Sequence, residues 1–268
     1  MGDLDSRRVG EYFARPGTVE RWWTPDSGPL SFHYDVELDI LEDALEVDPD
    51  WRVLDVGTGR GRFGLWFAER GCRVVGVDLN PEMLEAARQH ARERGLEERI
   101  ELRQGSADDL ALLGDTRFDV VLCMELFDHL PDLERSLAAM RGVLAEDGRF
   151  LFTYVPGESL YGGIGNVYRW LRARLSPEET MISRTYALGE VRRRLAASGL
   201  ELERYWGIGL LCLNAQTRLF TESPFTRMLT GLARAEANRW PYYARPWLAR
   251  HGAHVVGLAR PRTEAREA

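Results

Sequence analysis

The sequence of 268 residues contains no lysine, so arginine supplies all 35 of its basic side chains. Its three cysteines, Cys72, Cys123 and Cys212, lie far apart and share no spacing typical of a disulfide framework or a zinc site. No apolar run approaches the roughly 18 residues needed to cross a bilayer, and residues 1–8 are charged rather than signal-like. We therefore expect a cytoplasmic protein without structural disulfides.

The net charge of −7 is unevenly distributed along the chain. Residues 1–149 carry 18 Arg against 32 acidic residues, whereas residues 150–268 carry 17 Arg against 10. A protein that binds duplex nucleic acid is usually basic overall, so we do not expect a nucleic-acid partner. The basic second half is compatible with scattered solvated arginines or with a surface that meets an anionic substrate or membrane.

Apolar runs that alternate with helix-like stretches predict the fold. Candidate strands lie at residues 52–56, 73–77, 99–103, 118–124, 149–155, 200–206 and 255–259. This alternation is typical of βαβ units, so we expect a doubly wound α/β fold with a mostly parallel, Rossmann-like sheet, an antiparallel final strand and helical cap elements. The predicted divisions are a helical and aromatic cap (1–48), an α/β core (49–207), a helical lid insertion (208–252), and the last strand with a polar tail (253–268).

A glycine-rich segment joins the first core strand to a helix. Gly57, Gly59 and Gly61 permit a tight turn and a close approach of the backbone to a ligand. From Gly59 onward the segment also matches the dinucleotide fingerprint G-x-G-x-x-G, so an NAD-dependent oxidoreductase is an alternative. The carboxylate of Asp55, however, would repel a pyrophosphate and attract an ammonium or sulfonium group, which favours a cationic cofactor.

A second acidic residue, Asp78, ends the next strand and can accept hydrogen bonds from both hydroxyls of a ribose. With this acid and the Asp-x-Gly-x-Gly-x-Gly turn from Asp55 to Gly61, the chain resembles the class I S-adenosylmethionine-dependent methyltransferases over roughly residues 50–156. It is especially similar to small-molecule enzymes such as those of ubiquinone biosynthesis. The resemblance implies S-adenosylmethionine as the cofactor and a Rossmann-like methyltransferase fold.

The resemblance also assigns the cofactor-binding residues. The glycine turn, including Thr58, would hold the methionyl end, and Asp78 the ribose. Leu79 and Met83 would flank the adenine. The family usually reads the adenine amino group with an acidic residue after the third strand, and Ser106, Ala107 and Asp108 occupy that place. Cys123 and Met124, at the end of the fourth strand, complete the predicted site.

The loop after the fourth strand resembles the family segment that faces the reacting methyl group. Methyl transfer needs alignment and, for a hydroxyl acceptor, removal of its proton, so His129 is the candidate base; alternatively it caps or hydrogen-bonds the next helix. Glu125-x-x-Asp128-His129 also resembles a Glu-x-x-Glu-His metal motif, which would suit Mg²⁺ or Mn²⁺. Asp128 is one methylene shorter than the motif's Glu, and no fourth ligand is visible.

Two regions flank this core. Aromatic residues such as Tyr12, Trp23 and Trp247 would close over the cofactor, line an acceptor pocket or form a packed cap. Residues 208–252 mix apolar side chains with arginine, as in an acceptor lid or a membrane-surface element. We expect methyl transfer to an oxygen, nitrogen or carbon atom of a small acceptor, with oxygen favoured; the alternatives are a non-catalytic S-adenosylmethionine-binding protein and the NAD-dependent oxidoreductase. The acceptor and the oligomeric state are not predicted.

Overall fold

The computed structural model describes residues 32–159, 184–210 and 244–262, together with residues 162–163, 166–167, 170, 174, 232, 235–236 and 242. The strands are β1 (Arg52–Val56), β2 (Arg73–Asp78), β3 (Ile100–Gln104), β4 (Phe118–Cys123), β5 (Leu144–Tyr154), β6 (Leu200–Ile208) and β7 (His254–Pro261). The helices are α1 (Phe32–Ala44), α2 (Arg62–Glu69), α3 (Pro81–Glu93), α4 (Leu133–Val143), α5 (Leu188–Ala197) and α6 (Pro246–Ala249). Short 3₁₀ turns cover Ala111–Leu113 and Phe127–His129.

The strands form one sheet in the order β3-β2-β1-β4-β5-β7-β6. Neighbours among β1 to β5 pair in parallel, and β7 lies antiparallel to both β5 and β6. The expected doubly wound sheet with an antiparallel final strand is confirmed. Strand order reverses between β1 and β4, which is where open α/β sheets bind ligands at the carboxyl ends of their strands.

Local signals set the helix boundaries around this edge. The side chain of Asn80 accepts a hydrogen bond from the Glu82 backbone N–H (2.8 Å), and Pro81 occupies the first position of α3. Asp132 caps α4 by accepting from the Arg135 N–H at 3.0 Å. Such caps satisfy N–H groups that the first helical turn leaves without a partner. These two helix starts follow directly from the local sequence.

The two faces of β5 bury different partners. Phe150, Phe152 and Tyr154 form an aromatic ladder on one face, and Phe127 stacks on Phe152 with ring centroids 4.9 Å apart. Because side chains alternate along a strand, Leu151 and Thr153 face the opposite side. Leu151 belongs there to a buried cluster that includes Val36, Ile40 and Leu41 of α1 and Trp206, Ile208 and Val256 of the sheet. Helix α1 therefore covers the face of the sheet toward which Thr153 points.

The divisions predicted at residues 1–48 and 208–252 remain predictions, because Tyr12, Trp23 and most of the lid insertion lie outside the described residues. Within the described ranges, no helix has the length and apolar character needed to span a membrane.

Candidate active site

The glycine turn follows β1 and is fixed to β2. The φ angles of Gly57, Gly59 and Gly61 are +73°, +53° and +82°, a region that side chains with a Cβ rarely adopt. The Gly57 N–H donates to the Val77 carbonyl at 2.7 Å. A Cβ on Gly57 would also lie 2.7 Å from Cδ2 of Leu126. The backbone conformation therefore requires glycine at position 57, and a larger residue would also displace the side chain of Leu126.

Asp55 stabilises this turn from inside. Its side chain is 1% exposed, and Oδ2 accepts hydrogen bonds from Thr58 Oγ1 (2.7 Å) and the Gly64 N–H (3.0 Å). Burial raises the pKa of Asp55 to about 6, although both hydrogen bonds favour its charged form. The sequence suggested an attraction to a cationic cofactor. The structure adds a scaffolding role, and direct contact between Asp55 and the cofactor remains a prediction.

Asp78 connects the turn to α3. Its Oδ2 accepts from the Gly59 N–H at 2.9 Å and its Oδ1 from the Asn80 N–H at 2.8 Å. Burial raises the pKa of Asp78, while the hydrogen bonds from Asn80 and Gly59 oppose that shift. A carboxylate oxygen can accept more than one hydrogen bond, so both oxygens retain capacity for the hydroxyls of a ribose.

The predicted adenine contacts divide into exposed and buried residues. Leu79 is 41% exposed, whereas Met83 is only 4% exposed and lies on the buried side of α3. The contact expected between Met83 and the adenine remains a prediction, since a buried side chain can still line a cofactor pocket. Leu112, which sequence reasoning missed, is 38% exposed and lies over Gly105, whose added Cβ would be 2.5 Å from Leu112 Cδ2. Leu79 and Met83 remain the predicted adenine contacts, and Leu112 is a further apolar candidate.

Residues in the segment after β3 form a hydrogen bond with one another. The Ser106 hydroxyl donates to Asp108 Oδ1, and Ala107 packs partly against the core. The Asp108 backbone carbonyl accepts from Nε of Arg135 at 3.2 Å. Reading of adenine by this segment remains a prediction.

The side chains of Cys123 and Met124 are buried at the end of β4. They are 0% and 3% exposed and belong to the buried clusters on the two faces of the sheet. Burial strongly raises the pKa of the Cys123 thiol, which stays neutral. The predicted cofactor contacts of Cys123 and Met124 remain predictions.

Glu125 follows this strand end in an unusual conformation. Its φ is +54°, the only positive value at a non-glycine position among the described residues. Its N–H donates to Thr153 Oγ1 at 2.6 Å, and that hydroxyl lies 3.3 Å from Glu125 Oε1. Nδ1 of His254 lies 3.1 Å from the same Oε1. A conformation of this kind costs on the order of 1–3 kcal/mol and persists where surrounding contacts hold it, often at functional sites.

The structure does not bring together the predicted metal ligands Glu125, Asp128 and His129. Both carboxylate oxygens of Asp128 accept from the Val155 N–H, at 3.0 and 3.2 Å, so this side chain closes the loop onto β5. His129 is half-buried in the 3₁₀ turn. Among the described residues, the group of three whose candidate ligand atoms lie within 4.8 Å of one another is Glu37, Glu125 and His254. Sequence reasoning missed Glu37, Thr153 and His254.

Comparisons with known proteins agree with this architecture. The family model described as "Methyltransferase domain" matches residues 54–152. A "Ubiquinone biosynthesis O-methyltransferase" of Xanthomonas euvesicatoria pv. vesicatoria is 34% identical over 196 residues, which cover 71% of this chain and 80% of the relative.

Two solved structures share the fold. An S-adenosylmethionine-dependent methyltransferase from Thermotoga maritima has a TM-score of 0.63 and 21% identity, covering 95% of this chain and 99% of that one. Magnesium protoporphyrin IX methyltransferase from Synechocystis PCC 6803 has a TM-score of 0.62 and 16% identity, covering 97% of this chain and all of the other (100%).

The sheet order, the glycine turn and the two acids at strand ends define a Rossmann-like protein that binds an adenosine cofactor. With the family match and the 34% identical relative, the chain belongs to the class I S-adenosylmethionine-dependent methyltransferases. It is an enzyme that transfers a methyl group from S-adenosylmethionine to a nucleophile of a small molecule. The alternatives of an NAD-dependent oxidoreductase and a non-catalytic binding protein are thereby set aside.

Replacement of Asp78 by alanine should weaken S-adenosylmethionine binding. The change removes the acceptor of the Gly59 N–H and the acceptor predicted for the ribose, and we expect a loss of about 1.5–3 kcal/mol, typical of hydrogen bonds to a charged group. Isothermal titration calorimetry measures it. Asp115→Ala, at an exposed acid in a loop before β4, serves as control and should bind normally. An unchanged affinity for Asp78→Ala would contradict the role of Asp78.

Asp55 should leave a signature in the pH dependence of stability. Between pH 3.8 and about 6 the folded protein retains a proton on Asp55 that the unfolded chain has released, so stability falls as pH rises through this window. Above it, the buried charge costs up to about 3 kcal/mol, from roughly two pKa units. The variant Asp55→Asn should therefore gain stability relative to the native chain as pH rises, as measured by urea unfolding. Parallel profiles for the two proteins would contradict this.

Proposed function

We propose that the enzyme methylates the oxygen of an aromatic hydroxyl on a small molecule. The relative's name places it in O-methylation for ubiquinone biosynthesis, and methoxy groups on a quinone ring correspond to methylated ring hydroxyls. The observation that carries the proposal is the position of His129. Its half-buried imidazole lies in the turn after β4, at the sheet edge that also carries Asp55 and Asp78.

The proposed reaction is an in-line displacement. Bound S-adenosylmethionine would supply an electrophilic methyl group, whose bond to sulfur would break as the acceptor oxygen forms its bond to the methyl carbon. The hydroxyl proton passes to His129, which makes the oxygen a better nucleophile. Asp78 and the glycine turn hold the cofactor, so that the methyl group and the oxygen are aligned before reaction.

The variant His129→Ala should bind S-adenosylmethionine normally but turn over slowly. Loss of a general base lowers kcat by about 10² to 10⁴, and His129→Gln, which keeps polarity but cannot take the proton in the same way, should be similarly slow. Turnover is measured with catechol-type phenols, and cofactor affinity by calorimetry. His251→Ala, at a histidine whose Nδ1 lies 3.1 Å from the Glu158 carbonyl, is the matched control and should stay active. A fully active His129→Ala would assign His129 a structural role.

We further propose that the enzyme works in the cytoplasm and that residues 208–252 contact the surface of an anionic membrane. Within the described part of this segment, Trp247 is 63% exposed on α6, and Arg245 and Arg250 on either side of it are exposed as well. An exposed tryptophan flanked by arginines is typical of an interfacial element, because the ring enters the headgroup region while the guanidinium groups meet anionic lipids.

Co-sedimentation with vesicles tests this contact. Binding should be stronger to vesicles with anionic lipid than to zwitterionic ones, and should decrease with salt because screening shortens the reach of surface charge. Trp247→Ala should reduce the bound fraction. Trp170→Ala removes another exposed tryptophan (55%) outside the segment and should not. No binding to anionic vesicles at low salt would refute the membrane contact.

A further inference from the structure

Three side chains from distant parts of the sequence converge beside the carboxyl ends of β4 and β5. Glu37 comes from α1, Glu125 from the loop after β4, and His254 from the first residue of β7. Each offers one ligand atom, and these atoms lie within 4.8 Å of one another. Glu37 is 0% and His254 is 7% exposed, so the cluster is almost completely removed from solvent.

The carboxylate of Glu37 is the least stabilised member. Neither of its oxygens accepts a hydrogen bond from a described residue. The charged groups that interact with it are the carboxylate of Glu125, which repels it, and the guanidinium group of Arg62, which attracts it. Nδ1 of His254 lies 3.1 Å from Oε1 of Glu125, so the imidazole compensates the Glu125 carboxylate rather than that of Glu37. A buried carboxylate without a partner is costly and is usually paired or bound to a metal ion.

The geometry of the cluster suits a cation. Bonds of about 2.0–2.2 Å to a metal place neighbouring ligand atoms roughly 3–4.4 Å apart, a range that small side-chain rotations reach from the present separations. The Oε1–Nδ1 distance of 3.1 Å between Glu125 and His254 already lies in this range. Mn²⁺ prefers carboxylate oxygens, and imidazole nitrogen is favoured by Fe²⁺ and Zn²⁺. Two carboxylates and one imidazole therefore suit a divalent transition metal.

Surrounding contacts hold one ligand in place. Thr153 accepts from the Glu125 N–H at 2.6 Å and, through its hydroxyl 3.3 Å from Oε1, orients the carboxylate. Such contacts to ligating groups fix their orientation and contribute to metal affinity. They also hold the backbone of Glu125 at its positive φ of +54°.

We propose that Glu37, Glu125 and His254 bind a divalent transition-metal ion, with Mn²⁺ as the experimental probe. This site shares only Glu125 with the Glu125-x-x-Asp128-His129 pattern. It lies at the sheet edge that carries Asp55 and Asp78, where a bound ion could polarise an acceptor oxygen. That chemical role rests on the proposed function, whereas ion binding does not.

Direct titration tests the site. The full chain, treated with a chelator and desalted, is titrated with Mn²⁺ while free Mn²⁺ is followed by electron paramagnetic resonance, and calorimetry gives the stoichiometry. We expect one ion per chain. Glu37→Gln, Glu125→Gln and His254→Gln should each weaken binding by more than about 100-fold, since even contacts behind the ligands contribute about 10- to 100-fold.

Control variants locate the ion. Glu42→Gln removes an exposed carboxylate from the same helix as Glu37 and should bind normally. Asp128→Asn and His129→Gln should also retain binding. If Mn²⁺ does not bind the native chain saturably, or if binding is lost in the Asp128 and His129 variants and kept in Glu37→Gln, the proposal is overturned.

Thermal unfolding shows that a loss of binding is not a loss of folding. Without metal, Glu37→Gln should unfold at the same temperature as the native chain or higher, because it removes a buried charge. Mn²⁺ should raise the midpoint of the native chain but not that of the variant; an equal rise in both would contradict the site. S-adenosylmethionine affinity is measured on the same samples, so that absence of a metal site can be distinguished from failure of the methyltransferase function.

Discussion

Buried negative charge at the carboxyl edge of the sheet is the constraint on which the site depends. Asp55 and Asp78 end neighbouring parallel strands, so the fold forces two carboxylates close together in a region of low solvent access. Backbone N–H groups compensate them, because Gly59 of the glycine turn, Gly64 of α2 and Asn80, the cap residue of α3, all donate to these oxygens. The backbone that shapes the turn therefore also stabilises the negative charge of the site. A cofactor with a sulfonium and an ammonium group is electrostatically complementary to the two carboxylates.

A second cluster of buried carboxylates, Glu37 and Glu125, is less completely compensated. Glu125 has Thr153 and His254 as partners, but Glu37 contributes another carboxylate with no hydrogen-bond donor among the described residues. The two acids at the cofactor side are compensated by fixed dipoles, whereas this pair is compensated by one imidazole and, at longer range, by Arg62. This difference in compensation distinguishes the two clusters, and it favours the cation that we propose between Glu37, Glu125 and His254.

Features of the site that depend on local sequence could be predicted, and those that depend on long-range packing could not. Asn80-Pro81, the glycine turn and the two acids at strand ends act within a few residues, and the structure has them as expected. Met83, Cys123 and Met124 have suitable positions in the family pattern, and the structure buries their side chains, which the local sequence alone does not specify. Glu37 lies three and four positions before the buried Ile40 and Leu41, so helical spacing already places it on the covered face of α1, although a polar residue there is ordinarily taken to be exposed. His254 is 129 residues from its partner Glu125, and only the antiparallel β7 brings them together.

The metal pattern illustrates why residue spacing alone can mislead. A Glu-x-x-Asp-His sequence presents its three ligands on one side only if the backbone is helical throughout, since side chains three and four positions apart then neighbour one another. Here Glu125 has a φ of +54°, and the following residues form a tight 3₁₀ turn. The reversed backbone at Glu125 aims its carboxylate toward Thr153 and His254, while Asp128 turns back to the Val155 N–H. The residue types needed for metal binding are therefore present in the motif, but the backbone separates them and joins Glu125 to different partners.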